Sequence, residues 1–448
     1  MDIIIVGAGI AGLAAGISLR RAGHRVTIYE RSSTTNNEAG AAISVPPNVS
    51  RFLLPWGLDP TRARFVKPKG MYFVSFETNE PVLGRGMQIE HRQDVDLYGA
   101  PRYAAHRADL HAALKGLALG DEVSGTGEAE EARQTWKKVD VKLGMGVRSY
   151  EPETPSITLS NGTVVTADLV IAADGVNSTA AEFVLGHPQP SEIPAPPKAN
   201  MCYRFLIPKV DIENDPATRG FNIPCEAEGT RIWVDAVGRK RLIAYLCRDW
   251  TMWNFVALLR DEEFAAERED WLASVDKSEV LRKYSNFHPD LLAVINKATE
   301  VKRWPLLYRS PFPTWHKGRL VLAGDAAHPM LPHHAQGGAQ AIEDGLAIGL
   351  VLHGATKASF DAEIEERLAV YEKIRRNRAS AIQVMSNFGF DEKAPDELTE
   401  YLEGMPVPKT AMDMLNIAYS PDVLERTVKT MTEYDPEWKL PEGFFPGK

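Results

Sequence analysis

The sequence predicts an α/β protein: a parallel sheet flanked by helices, interrupted by an antiparallel sheet and followed by C-terminal helices. Three observations predict it. A buried β-branched run at the N-terminus passes through a glycine-rich turn into a helix and a second strand. Two later apolar runs end in Asp174-Gly175 and Gly324-Asp325. Between Val184 and Val301 continuous apolar runs give way to alternation, the pattern of antiparallel strands with unlike faces.

The first element is Ile3 to Val6, apolar enough for a strand buried on both faces. Gly7 permits a tight turn, Gly9 lets a pyrophosphate approach the backbone, and Gly12 lets the following helix lie close on the strand. Ala11 stands inside the same first turn. The helix start turns free N–H groups and a positive dipole end toward phosphate. Gly23 ends that helix, Arg25 to Tyr29 forms a second strand, and Glu30 at its end is placed to accept the hydroxyls of an adenosine ribose. Arg31 is read as an adenine-side contact. Strand, glycines, helix, strand and acid in this order make a dinucleotide-binding unit.

Further along, "NGTVVT" is a hairpin-like turn leading into the strand "ADLVIAADGVNST", Ala167 to Thr179. The stretch Arg319 to Gly345 repeats this grammar: Arg319 to Ala323 is a strand, Gly324-Asp325 ends it, and Ala339 to Leu352 has helical spacing. Several strand ends therefore offer themselves to one long ligand. The segments "CYRFLIP", "TRIWVDAV" and "KRLIAYLCRDW" are antiparallel strands, introduced by the Pro-rich connector "PQPSEIPAPPKAN". The resulting division is a discontinuous first domain at 1–69, 101–183 and 302–390, a sheet domain at 70–100 and 184–301, and a partly helical extension at 391–448.

A net charge of -9 opposes binding to a phosphate backbone, so nucleic acid is not an expected partner. Cys202, Cys225 and Cys247 are widely spaced and lack a CxxC, which indicates reduced thiols. Ile3 to Leu19 follows an acidic residue and is broken by glycines, so it reads as fold rather than as a leader or anchor. No stretch reaches membrane-spanning length, and a cytoplasmic protein, monomer or homodimer, is expected. His328, His333 and His334 have no carboxylate or cysteine at ligand spacing, so no metal is expected.

The motifs "GAGIAG" with Glu30, "ADGVNS" and "GDAAHPMLPHHAQGGAQAIEDG" occur in order, with "GAAISVPPNVSRFLLPWGL" and "HRADLHAAL" between them. Over roughly Met1 to Ala381 the sequence resembles the single-component FAD aromatic hydroxylases, which include salicylate and p-hydroxybenzoate hydroxylases. The resemblance implies a Rossmann-like FAD-binding domain of the glutathione-reductase type, an inserted antiparallel β-sheet substrate domain and C-terminal helices. It implies that NAD(P)H docks transiently and reduces FAD. Dioxygen then forms a flavin C4a-hydroperoxide that hydroxylates an aromatic small molecule, with a phenol or aromatic acid expected. Epoxidation or oxidative dearomatisation of a bulkier metabolite is the alternative, and an FAD oxidase or reductase a further one.

By the same resemblance Asp325, after Gly324, accepts from the ribityl chain, and Gly337 and Gly338 offer N–H groups to the flavin ring. Pro332 lies at the reacting edge, Arg107 on the flavin side, and Val147 beside the adenine, with Val45 and Asp174 completing the cofactor set. Tyr203, Arg231, Trp233 and Tyr245 fall on the strands expected to form the substrate pocket. Tyr203 and Trp233 read equally as pocket or as core aromatics, and Arg231 as a carboxylate clamp or a strand-edge charge. The sequence departs from relatives at His333 and His334, and carries Arg231 and Asp235 where several place a His and a Tyr, so no general base carries over.

Overall fold

Ile3, Ile4, Ile5 and Val6 are all buried, because the strand Asp2–Val6 lies inside a sheet covered on both faces. The computed structural model describes residues 1–34, 41–82, 89–90, 93–120, 136–190, 198–222, 228–262, 273–390 and 392–445. Its six-stranded sheet runs in the order His316–Lys317, Leu320–Leu322, Leu169–Ala172, Asp2–Val6, Arg25–Tyr29, Asp140–Lys142. All neighbours are parallel except the first pair. The helices Ile10–Arg21 and Gly337–Val351 pack against each other at very short range. A Cβ on Gly345 would fall 2.6 Å from Ala14, and one on Gly349 would fall 1.9 Å from the Ser18 hydroxyl. The double-glycine spacing of the second helix therefore brings its start down onto the nucleotide turn.

An eight-stranded sheet forms the other layer, in the order Ser274–Val275, Val301–Pro305, Met201–Pro208, Met252–Leu259, Lys240–Cys247, Thr230–Asp235, Gly70–Val74, Ile89–Glu90. It is antiparallel except where Gly70–Val74 meets Thr230–Asp235. One face packs the helices Lys277–Lys283 and Pro289–Ile295 through Val280, Tyr284, Leu291 and Val294. The other face is turned toward the parallel-sheet layer.

The expected boundary at 302 falls too early, because Val301–Pro305 hydrogen-bonds to Met201–Pro208 as part of the antiparallel sheet. Within 70–100 the chain also forms a short helix, Asp94–Tyr98. The C-terminal extension is built into both layers rather than appended. Phe444 meets the Trp56 ring edge-on at 6.2 Å, and its carbonyl accepts a bond from Arg21 at 3.0 Å. Cys202 and Cys247 are buried free thiols, and Cys225 lies outside the described residues, as does much of the Pro-rich connector. Among the described residues no helix is long and apolar enough to cross a membrane.

Candidate active site

At the nucleotide end, Gly7 takes φ +99° and donates its N–H to the Tyr29 carbonyl at 2.8 Å, closing the turn between the strands. A Cβ on Gly12 would fall 2.0 Å from the Gly7 oxygen, which is the close helix approach the spacing requires. A Cβ on Gly9 would meet nothing within 4 Å, so the space before the helix is open. No side chain caps that helix start. Glu30 is held over the turn: its carboxylate accepts the N–H groups of Ala8 and Ser32, each at 2.8 Å. Arg31 is exposed beside Gly146, and Met145 donates to the Glu30 carbonyl at 2.8 Å, which brings Val147 alongside. Asp174 is gripped by the Tyr150 hydroxyl at 2.6 Å.

At the strand end Leu320–Leu322 the chain turns at Gly324, with φ +63° and its N–H on the Asp344 carboxylate at 2.8 Å. The turn brings Gly324 against Ala11, whose methyl would lie 2.7 Å from an added Cβ. Asp325 then projects into a cleft open to solvent, which Ile43, Ser44, Arg107, Pro332, Gly337 and Gly338 also line. Burial raises the Asp325 carboxyl above its ordinary range, with His328 and Arg107 acting in the opposite sense. The helix Gly337–Val351 opens without a side-chain cap. An open glycine cradle, a buried acid and two uncapped helix starts fit the phosphate, polyol and ring carbonyls of FAD. Val45 is not among the residues that line this cavity. Its side chain is buried in the core behind the strand Ala42–Val45, and its neighbours Ile43 and Ser44 face the cavity instead.

A second cavity adjoins the first and shares Ser44, Arg204, Tyr245, Pro332 and Ala335 with it. The antiparallel sheet contributes Ile232, Val234, Ile243 and Val256, which make it mainly apolar. Tyr203, Arg231 and Trp233 are on the opposite face, which corrects the expectation that they line the pocket. Tyr203 donates to Glu279 at 2.6 Å, and Trp233 donates from Nε1 to Asn79 at 3.1 Å. Arg231 is fully buried, hydrogen-bonded to the Phe221 carbonyl, and lies over the rings of Phe221 and Trp253 at 4.8 and 5.0 Å. Alternation fixed which residues share a face but not which face looks inward. The inward face carries Arg204, Arg241 and Tyr245; of these only Tyr245 is on the expected list, while Arg204 was adjacent to a chosen residue and Arg241 two places from Ile243 on the same alternation.

The three histidines have separate partners. His328 Nε2 meets Asp344 at 2.6 Å, His334 Nε2 meets the Phe388 carbonyl at 2.9 Å, and His333 Nδ1 accepts from Arg241 at 3.4 Å. Arg241 is in turn paired with Glu392 at 2.6 Å, from beyond the resembling span. Behind the flavin-side cavity lies a network that the sequence did not announce. Glu343 accepts from Arg375 at 2.5 Å, Arg378 at 2.7 Å and Asn48 at 2.6 Å, while Asp344 accepts from Arg375 at 2.8 Å. Burial works to raise both carboxyls, but the guanidiniums beside Glu343, and His328 with Arg375 beside Asp344, leave them below the ordinary range. Asp344 thereby fixes the backbone from which Asp325 projects.

With this geometry in place, comparison with known proteins defines the class. Residues 148–386 match the FAD binding domain, and residues 5–41 match an NAD(P)-binding Rossmann-like domain. The chain belongs to the FAD-dependent monooxygenases. It is 44% identical to the FAD-dependent monooxygenase cfoG of Aspergillus candidus, over 99% of this chain and 98% of that protein. It is 31% identical to the hispidin-3-hydroxylase of Neonothopanus nambi, over 86% of this chain and 87% of that one. The crystal structure of CtdE in complex with FAD and a substrate has the same fold, with a TM-score of 0.72 at 19% identity, covering 97% of this chain and 98% of that one.

Proposed function

We propose that this monooxygenase hydroxylates a bulky phenol, using NAD(P)H as reductant and dioxygen as oxidant. One oxygen atom enters the ring as a hydroxyl, the other leaves as water, and NAD(P)H with a proton supplies the reducing equivalents. The observation that carries this reading is the wall common to the two cavities, where Arg204 and Tyr245 stand.

When bound, FAD supplies hydride acceptance and the activation of dioxygen. Gly9 and the helix starting at Ile10 would receive its phosphates, Glu30 its ribose, Asp325 its polyol, and the N–H groups at Gly337 and Gly338 its ring. Arg204 stacks over Trp304 at 4.3 Å and meets no carboxylate among the described residues. A guanidinium donates only, so Arg204 holds a phenolic oxygen as its anion and enriches the ring in electrons. Burial pushes the Tyr245 hydroxyl far above its ordinary range, which keeps it protonated and a donor. The apolar sheet face excludes water from the reacting ring.

Of the two expected substrates, a phenol and an aromatic acid, the phenol is the reading favoured here, and Arg231 is not available as a countercharge because it lies on the opposite face of the sheet. Arg241 is paired with Glu392 and Arg102 with Asp94 at 3.1 Å, so the cavity's positive charge without a carboxylate among the described residues is confined to Arg204, at the common wall where the phenolic oxygen is held. The name of hispidin-3-hydroxylase supports hydroxylation as the reaction.

A panel of phenols, read for NAD(P)H oxidation and for a product heavier by one oxygen, tests it. Arg204→Met should lower kcat/KM by about 10- to 100-fold with FAD content retained, the scale of a charged hydrogen bond. Arg231→Met should instead lower the melting temperature and leave KM nearly unchanged. NAD(P)H consumption yielding only hydrogen peroxide with every phenol would refute the assignment.

A further inference from the structure

The buried tyrosines among the described residues fall into two groups by the fate of their hydroxyls. Those of Tyr98, Tyr150, Tyr203, Tyr284 and Tyr371 all reach an acceptor, respectively Asn416, Asp174, Glu279, the Leu258 carbonyl and the Leu322 carbonyl. Tyr103 and Tyr419, at 5% and 4% exposure, reach none among the described residues. Both unpartnered hydroxyls belong to residues that line the second cavity, and neither residue lines the flavin-side one. Neither hydroxyl is sealed away in the packing, so each is open to the cavity and available to a bound molecule.

We infer that Tyr103 and Tyr419 are specificity residues that donate to oxygen acceptors on the part of the substrate remote from the reacting ring. This rests on the phenol-hydroxylase reading above and names the rest of the molecule: an uncharged extension carrying a carbonyl oxygen. The rings themselves are held firmly. Tyr419 ends the helix Ala411–Tyr419, its ring lies 4.7 Å from the Arg102 guanidinium and 5.5 Å from the Tyr98 ring, and its carbonyl accepts from Arg51 at 2.6 Å. Tyr103 is on the strand Tyr103–His106, packed on Phe65 at 5.9 Å. Burial raises both hydroxyls above their ordinary range, so they are protonated donors. The charge of the neighbouring Arg102 is balanced by Asp94, which favours a neutral acceptor over a carboxylate.

Tyr419 lies beyond residue 386, where the match to the FAD binding domain ends, and Gly389 and Phe390 line the same cavity. The C-terminal segment is thus part of the substrate site.

The experiment uses the FAD-loaded enzyme and two probes, 4-(4-hydroxyphenyl)butan-2-one and 4-butylphenol, which share length and phenol but differ in a carbonyl. Dissociation constants are read from the flavin absorbance change. The enzyme should prefer the ketone by about tenfold, Tyr103→Phe and Tyr419→Phe should each erode that preference, and the double variant should abolish it. FAD content should be unchanged and the ligand-free melting temperature equal or higher, because no internal bond is lost; Tyr203→Phe, which loses one, should melt earlier. A preference that survives in the double variant, or a melting temperature that falls as it does for Tyr203→Phe, overturns the inference. Equal binding of both probes overturns it while sparing the phenol reading, whereas binding of neither overturns both.

Discussion

At Gly9 an added Cβ meets nothing within 4 Å, and at Gly12 it would fall 2.0 Å from a backbone oxygen, so two glycines of one turn have different jobs. Gly9→Val should leave the ligand-free protein folded with little change in melting temperature and prevent FAD from loading. Gly12→Ala should damage the fold itself, by about 1–3 kcal/mol or more, because strand and helix must separate to admit the methyl. Melting curves of the ligand-free proteins beside their flavin absorbance distinguish these, and equal melting temperatures for the two variants would contradict the distinction. These positions were legible in sequence because turn and helix chemistry are local. Tyr203 against Arg204 was not, since the choice between neighbours depends on which side of the sheet the helices Lys277–Lys283 and Pro289–Ile295 cover, and that is decided by the whole chain.

Among the elements, the helix Gly337–Val351 does more than its sequence suggests. Its start faces the flavin-side cavity, its glycines press on Ile10–Arg21, and its Glu343-Asp344 pair is sealed against Arg375 and Arg378 of the helix Lys357–Met385. In the sequence these were two acids in "IEDG" and two arginines in "KIRRNR", with nothing to pair them. Their meeting requires the helices to cross. Glu343→Gln leaves Arg375 with Asp344 and Arg378 with no close carboxylate among the described residues, which should cost about 3–5 kcal/mol. Urea unfolding of the ligand-free protein measures it, and a loss below about 1 kcal/mol would mean that the network is dispensable. The strand order was equally illegible: the motifs named the parallel strands, but placing Val301–Pro305 in the other sheet needed its pairing with Met201–Pro208.

For the molecule as a whole, acid stability follows from three buried imidazoles. Burial, with nearby positive charge, lowers His24 from 6.5 to about 4, His333 to about 3 and His334 to about 4. Folded values below the free value mean that the unfolded chain takes up the protons first. Stability is therefore at its full level above about pH 6.5 and falls as pH drops toward 4, by up to about 1.4 kcal/mol per pH unit for each imidazole. Denaturant midpoints between pH 8 and 5 should show this decline, and His24→Gln should make it shallower. A flat profile would mean that these rings are not held neutral.

The cavity wall supplied by Gly389, Phe390 and Tyr419 also sets an order of events during synthesis. A ribosome releases the chain from its N-terminus, so the nucleotide turn, the strand Leu320–Leu322 and the helix start at Gly337 all emerge before the segment that closes the substrate chamber. The cofactor platform is completed only when Arg375 and Arg378 follow to pair with Glu343 and Asp344, and the reaction chamber closes later still. A product of premature termination after this helix would carry every residue named here for holding FAD yet lack the guanidiniums that neutralise Glu343 and Asp344 and the wall that shields a reacting ring. Quality control that removes incomplete chains therefore protects the cell from more than a wasted polypeptide.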